Sequence, residues 1–256
     1  MKTPKPQYRP EIAPKFDAFD STTERKLTGS AWFMAEPRDV AAQTVPAPVT
    51  DCPLSTLVGE LVSQVDAADP SQAGHAVRVA ALATMLGSSI GMDAAELRQL
   101  RIAALLHDVG KILIPTEILR KAGPLCVAEA STVRRHTVYG GTILRRIPVL
   151  AFAASTARWH HERWDGLGYP DGMVGNDIPL HARVVSVADA LDAMTSVRAY
   201  RPAISLEAAF FELEAQSGAQ FDPLIVSAFG PLVGATGFRD SLDNLANKIE
   251  ALPAAA

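Results

Sequence analysis

Two adjacent histidines and a glutamate stand directly before a glycine-rich loop in the stretch RWHHERWDGLGYPDGM, residues 158–173. The 256-residue chain holds only six histidines, His75, His107, His136, His160, His161 and His181. The first five fall on or beside expected helices, and two carboxylates, Asp108 and Asp189, lie in otherwise apolar surroundings (LLHDVGK and SVADALDAM). A buried carboxylate is costly unless it is paired or ligates a metal. Taken singly, each histidine has an ordinary explanation. His107 could hydrogen-bond its own aspartate in a satisfied core, His75 could be a core histidine, and His136, after Arg134 and Arg135, could join a basic surface cluster. The helix C-terminus before the loop needs at most one cation, so the pair His160–His161 is harder to explain in that way. A metal centre accounts for all of them together. Mixed imidazole and carboxylate donors without cysteine suit iron or manganese, with zinc as an alternative. Five histidines and two aspartates exceed the needs of one ion. They suffice for two divalent ions about 3.5–4 Å apart that share a carboxylate, as in many phosphoesterases. Asp108 is the expected bridge, because its neighbour His107 already commits that helix end to the site. His181 is left as a structural residue.

Helix bundles build metal sites from side chains on facing helices, and the chain from Leu54 onward reads as such a bundle. Expected helices cover LSTLVGELVSQVDAA, AGHAVRVAALATMLGSSI as far as Gly91, and DAAELRQLRIAALLHDVG with Asp93 as N-cap. Others cover roughly 127–145 and 148–161. After the loop at 164–180, which holds Gly166, Gly168, Gly172, Gly175, Pro170 and Pro179, helix resumes in ARVVSVADALDAMTS, although Val184, Val185 and Val187 leave its start ambiguous. SLEAAFFELEAQSG follows, then FDPLIVSAF with Asp222 as N-cap and Pro223 at the first helical position, and finally DSLDNLANKIEAL. Without period-two strands or an internal repeat, the expected fold class is all-α. Three regions are expected: a proline-rich extension over 1–50, partly disordered or packed as an arm anchored by SAWFMAE (30–36); a helical domain over 51–235; and a C-terminal helix and tail over 236–256.

A formal net charge of −4 argues against a protein held on polymeric nucleic acid, although a small anionic nucleotide in a local basic pocket remains open. With 48% hydrophobic residues the chain can bury a sizeable core. Its two cysteines, Cys52 and Cys126, form no disulfide framework or zinc pattern. The N-terminus lacks an apolar signal region, and no stretch reaches membrane-spanning length, so a cytoplasmic protein without membrane contact is expected.

The segments GHAVRVA, LLHDVGKILIP, RRHTVYGGTIL, HHERWDGLGYP and VADALDAMTSVRAYR occur in that order. Over residues 55–230 they resemble the HD-GYP family, a branch of the HD phosphohydrolases whose members are bacterial cyclic-di-GMP phosphodiesterases. The resemblance implies an HD-type bundle with a dinuclear site in its core. His75, His107, Asp108 and Asp189 would hold one metal, and His136, His160 and His161 the second, with Asp108 bridging. Lys111 matches the family's lysine near the scissile phosphate, so Asp108 and Lys111 are the expected catalytic pair. Arg198 and Arg201 match phosphate-contacting residues, and Tyr169 would border the substrate cleft or offer a partner surface. Glu162 and Asp165 are expected to brace ligands or loop. Two departures stand out. Ser71 occupies the position where some members carry a glutamate that recruits a third metal, so two metals are expected. Ala199 replaces the usual proline in SVRAYR. Regulatory input would come from residues 1–50, from a partner such as a diguanylate cyclase or another signalling protein, or from substrate level; a homodimer is left open. The implied reaction is hydrolysis of cyclic-di-GMP to pGpG, GMP or both. Two rival readings are hydrolysis of another cyclic dinucleotide, such as cyclic GMP-AMP, and a non-hydrolysing sensing or docking module.

Overall fold

The computed structural model describes residues 54–196, 203–233 and 237–250. The extension over 1–50 and the segment carrying Arg198, Ala199 and Arg201 lie outside the described residues. Eleven α-helices are described: α1 (Leu54–Ala68), α2 (His75–Ser89), α3 (Ala94–Leu105), α4 (Thr116–Leu119), α5 (Val127–Arg134), α6 (His136–Arg145), α7 (Ala154–Trp159), α8 (Leu180–Thr195), α9 (Leu206–Ala215), α10 (Pro223–Val233) and α11 (Phe238–Glu250). Among the described residues there is no strand, only an isolated bridge between Ser217 and Phe221. The all-α expectation holds. No described helix is long and apolar enough to cross a membrane.

Two apolar clusters share α3. Its Leu100 and Ala104 join Val79, Ala80, Ala83 and Leu86 of α2 and Val184, Val187, Ala188 and Leu191 of α8. Its Ala103, with Leu106 just beyond, joins Val58 and Leu61 of α1, Leu144 of α6 and Ala157 of α7. The small residues of α2 let its neighbours approach closely: a methyl group on Gly87 would strike the side chains of Leu97 and Leu100. The valines of α8 are in helix because that helix is packed between α2 and α9, and burial there outweighs β propensity. The C-terminal α11 lies against α2 and buries Phe238 and Ile249 in the first cluster, so it completes this core.

Local signals set where the helices begin. Asp93 caps α3 as expected, accepting from the amides of Ala95 (2.7 Å) and Glu96 (2.9 Å), while Glu96 reaches back to the Asp93 amide. Asp222 accepts from the Leu224 amide ahead of α10. Three boundaries differ from expectation, and each matters for the site. The helix through HDVG stops at Leu105, and the chain tightens into a 3-10 turn over Val109–Leu113. The helix expected over 127–145 breaks at Arg135, so that His136 is the first residue of α6. The segment from Pro148 to Ala153 is a 3-10 turn, and α7 ends at Trp159, just before the paired histidines. Each break re-aims the backbone where a straight helix would have carried the imidazole elsewhere.

Candidate metal centre

Asp108 lies between two sets of imidazoles, and its two oxygens face different sets. Oδ2 is 3.4 Å from His107 Nε2 and 3.9 Å from His75 Nε2, whereas Oδ1 is 3.2 Å from His136 Nε2 and 3.8 Å from His160 Nε2. Three groups of donors converge closely enough to share an ion: His75–His107–Asp189, His107–Asp108–His160 and His136–His160–His161, the donor atoms of each lying within 4.8 Å of one another. Asp108 thus sits where a bridge between two positions would sit. Its site lies at the junction of the two clusters, with ligand candidates from α2 and α8 on one side and from α6 and the end of α7 on the other.

The chain orients three of the imidazoles through Nδ1 and a backbone carbonyl. His107 donates to the Ala104 carbonyl at 2.7 Å, His136 to Val133 at 2.7 Å, and His160 to Ala157 and Thr156 at 3.1 and 3.2 Å. A carbonyl can only accept, so the proton rests on Nδ1 and Nε2 turns a lone pair toward the centre. These carbonyls lie in the last turns of α3, α5 and α7, where the regular ladder ends and a carbonyl oxygen can accept from an imidazole as well as from a capping amide. Nε2 of His107 is wholly buried and has no hydrogen-bond partner. An orphaned buried acceptor is rare and calls for an explanation, and a cation at the convergence point supplies one. The donor set therefore fits divalent metals. Burial and the neighbouring imidazoles hold His160 well below the usual histidine range, and burial pushes His161 down to about 3, so both present neutral donors.

Lys111 follows Asp108 by one 3-10 turn, and its Nζ lies 2.6 Å from Asp108 Oδ2. Burial opposes charge on both groups, yet each charge favours the other: Asp108 is held well below the carboxylate range and Lys111 above the usual lysine value. Gly110, between them, is required by close approach, since a side chain there would overlap the carbonyl oxygen of His136 and the amide of Gly140. The glycine lets the turn of the HD dipeptide seat directly on α6.

The glycine-rich loop is pinned at several points. Glu162 is 3% exposed, and its carboxylate accepts from the amides of Asp171 (2.7 Å), Gly172 (3.1 Å) and Met173 (3.1 Å). Burial raises its pKa, and the three amides work against that shift. Asp165 pairs with Arg163 at 3.0 and 2.6 Å and accepts from the Leu167 amide. Both acidic residues hold backbone or side-chain donors of the loop. Tyr169 stacks on His161 with ring centroids 4.9 Å apart and 22° between planes, and the Arg134 guanidinium lies 5.1 Å from the centroid of the Tyr169 ring. Tyr169 thereby links the cage to the loop. His181 is half-buried and belongs to none of the converging groups.

Three residues of this arrangement escaped the sequence reading. Asp192 of α8 lies 2.8 Å from His75 Nδ1 and is gripped by Arg78. Its signal was the spacing in ADALD, which puts Asp189 and Asp192 on one helical face. Asp171 takes a bidentate pair from Arg158 (2.8 Å each) and the Trp159 indole (2.7 Å), which closes the loop onto α7. Arg134 was read only as part of a basic cluster.

Comparison with known proteins identifies the family and the fold. A profile of the HD domain matches residues 61–225. The chain is 43% identical over 157 residues to a cyclic di-GMP phosphodiesterase of Thermotoga maritima, covering 60% of this chain and 43% of that protein. It is 39% identical over 173 residues to the cyclic di-GMP phosphodiesterase response regulator RpfG of Xanthomonas campestris, covering 67% and 46%. A 3′3′-cGAMP-specific phosphodiesterase of Vibrio cholerae is 37% identical over 172 residues, covering 66% and 33%. The chain spans less than half the length of these relatives. A solved structure of a cyclic GMP-AMP-specific phosphodiesterase of Vibrio cholerae superposes with a TM-score of 0.61 at 22% identity, covering 78% of this chain and 54% of that one, which establishes the shared fold.

Proposed function

This chain belongs to the HD-domain family, in its HD-GYP branch, and on that premise we propose that it is a metal-dependent phosphodiesterase opening cyclic-di-GMP to pGpG, GMP or both in bacterial second-messenger signalling. The observation that carries this reading is the double-faced Asp108, with an imidazole set on each oxygen. On this reading the reaction runs in the cytoplasm, where a bacterial second messenger would act.

His75, His107, Asp108 and Asp189 would hold one divalent ion, and Asp108, His136, His160 and His161 the other, with iron or manganese favoured by the cysteine-free donor set. When bound, such ions polarise phosphoryl oxygens and bring the pKa of water toward neutrality. The chain's own contribution is positional and electrostatic. The Asp108–Lys111 pair keeps a cation at the edge of the cage, where charge grows on a phosphoryl oxygen during attack. Arg198 and Arg201 supply further phosphate contacts in this reading, and Tyr169 borders the cleft where a guanine or ribose would lie. Glu162 and Asp165 hold the loop in place without touching substrate. A diguanylate cyclase or another signalling protein would meet the loop tip, where Leu167 is exposed.

A second reading, hydrolysis of cyclic GMP-AMP, is favoured by the 37% identity to the Vibrio enzyme. One experiment separates the two. Anaerobically purified protein loaded with iron or manganese is incubated in parallel with cyclic-di-GMP and 3′3′-cGAMP, and products are followed by chromatography. Release of pGpG or GMP from cyclic-di-GMP, lost in His160→Ala, is the expected result. Turnover of cGAMP alone selects the second reading, and turnover of neither with two metals bound leaves a docking or sensing module.

A further inference from the structure

His107, His136 and His160 are oriented by backbone carbonyls, but His75 is oriented by a carboxylate. Asp192 Oδ2 stands 2.8 Å from His75 Nδ1. The side chain is 3% exposed and triply held: Arg78 Nε donates to Oδ1 at 2.6 Å and its terminal nitrogen to Oδ2 at 3.2 Å, while Ser196 Oγ donates to Oδ1 at 3.1 Å. One turn earlier on the same helix, Asp189 Oδ1 lies 3.3 Å from His75 Nε2. Helix α8 therefore grips both nitrogens of one imidazole, with Asp192 behind the ring and Asp189 in front.

A carboxylate behind a ligating imidazole fixes the tautomer, orients the ring and makes Nε2 a stronger donor than a carbonyl does. The two halves also differ in charge. Beside the shared Asp108, the half of His75 and His107 has Asp189 in its donor set and Asp192 behind it, whereas the other half adds only the imidazoles of His136, His160 and His161. Two cations oppose this asymmetry. Lys111 holds Asp108 through Oδ2, the oxygen on the His75 and His107 side, while Arg78 offsets part of the Asp192 charge yet aims that carboxylate at His75 through its fork. Arg78 has a side chain 40% exposed, and water screens its charge more than that of the buried Asp192.

We propose that Asp192 is a positioning residue that makes the His75–His107–Asp189 half the tighter of two metal positions, so that the protein loads its metals in order. The inference rests on the two-metal reading above. Its test uses the full chain stripped by chelation and titrated with Mn2+ by calorimetry and with Co2+ by visible absorption, without nucleotide. The wild-type chain is expected to bind in two steps separated by at least about tenfold. Asp192→Asn should weaken the first step by about 10–100-fold, the usual effect of losing such a partner, while the second changes by less than about threefold. The Co2+ spectrum of the first step should shift, and the metal-free melting temperature should stay close to wild type.

His75→Ala removes the first step. Adding Asp192→Asn to it should then leave the remaining step unchanged, because Asp192 acts through His75. If Asp192→Asn does not fold, Arg78→Lys, which keeps the charge but breaks the fork, must weaken the first step selectively. Two equal steps in the wild-type chain overturn the proposal. So do equal losses at both steps, a further loss in the double variant, or an Arg78→Lys chain that titrates like wild type. A wrong substrate assignment leaves every titration intact, whereas a chain that binds no metal overturns the two-metal reading as well.

Discussion

The two halves of the cage are made by different means. On one side Asp189 and Asp192 project from the interior of the sixteen-residue α8 onto His75, the first residue of α2, and the packed valines and alanines of both helices set their positions. On the other side every donor sits at a helix end: His136 opens α6, and His160 and His161 follow the last residue of α7. Helix interiors position a side chain by burying its neighbours. Helix ends do it by last-turn carbonyls, a device that His107 of the first half shares, and by backbones close enough to exclude a Cβ. The first half should therefore respond to lost charge and packing, and the second to lost space.

Asp108 belongs to both halves, so its loss should erase the difference. Asp108→Ala is expected to abolish turnover by at least about 10³-fold, in line with the loss of a metal's catalytic contribution, and elemental analysis should find neither metal retained. Retention of one tightly held ion would mean that the carboxylate does not bridge. Gly110→Ala comes next. Its methyl group would overlap the His136 carbonyl, and overpacking of this kind costs about 1–3 kcal/mol. The melting temperature should fall by about 2–4 °C per kcal/mol, with metal lost first from the histidine-only half. Loss from the His75 half instead would reverse the comparison drawn above.

His136→Ala should lower bound metal from two ions to one in the same elemental assay, with the His75 half still loaded. Loss of both would show that the halves are not separable. Glu162→Gln should leave metal content unchanged while loosening the loop. Weakening three charge-assisted amide bonds costs about 1–3 kcal/mol, and faster amide hydrogen exchange at 171–173 is the measurement that checks it. Asp171→Asn should do least, because surface ion pairs contribute about 0–1 kcal/mol. Melting unchanged within about 2 °C is the expected result, and a larger drop would show that the loop's closure onto α7 carries the site.

The ligand candidates were legible because the chain has so few histidines and because HD and HHE interrupt apolar or glycine-rich surroundings that give them no other use. Asp192 was legible only as a second carboxylate on the helical face of Asp189, not by its role. Nothing local distinguishes it from Asp189, since both sit in the same apolar helix, and only the arrival of Arg78 and His75 from α2 separates a residue facing the cage from one bracing it. Arg134 was hidden for a similar reason, as its cation meets Tyr169 only after the loop folds back across 35 residues of chain. The helix breaks at Leu105, Arg135 and Ala153 also escaped the reading, because no proline or glycine marks them. They follow from where the neighbouring backbones come to rest.

Residue types and spacing were enough to assign the all-α class, the HD-GYP resemblance, the seven ligand candidates and the glycine-rich loop, because periodicity and rare residue types are local properties of the chain. Tertiary structure decided which oxygen of Asp108 faces which imidazoles, which nitrogen of His107, His136 and His160 carries the proton, and which of the two α8 carboxylates stands behind His75. These are relations between segments more than a hundred positions apart in the case of His75 and Asp192. They are set by how α2, α3 and α8 close on a shared core, which no single segment encodes.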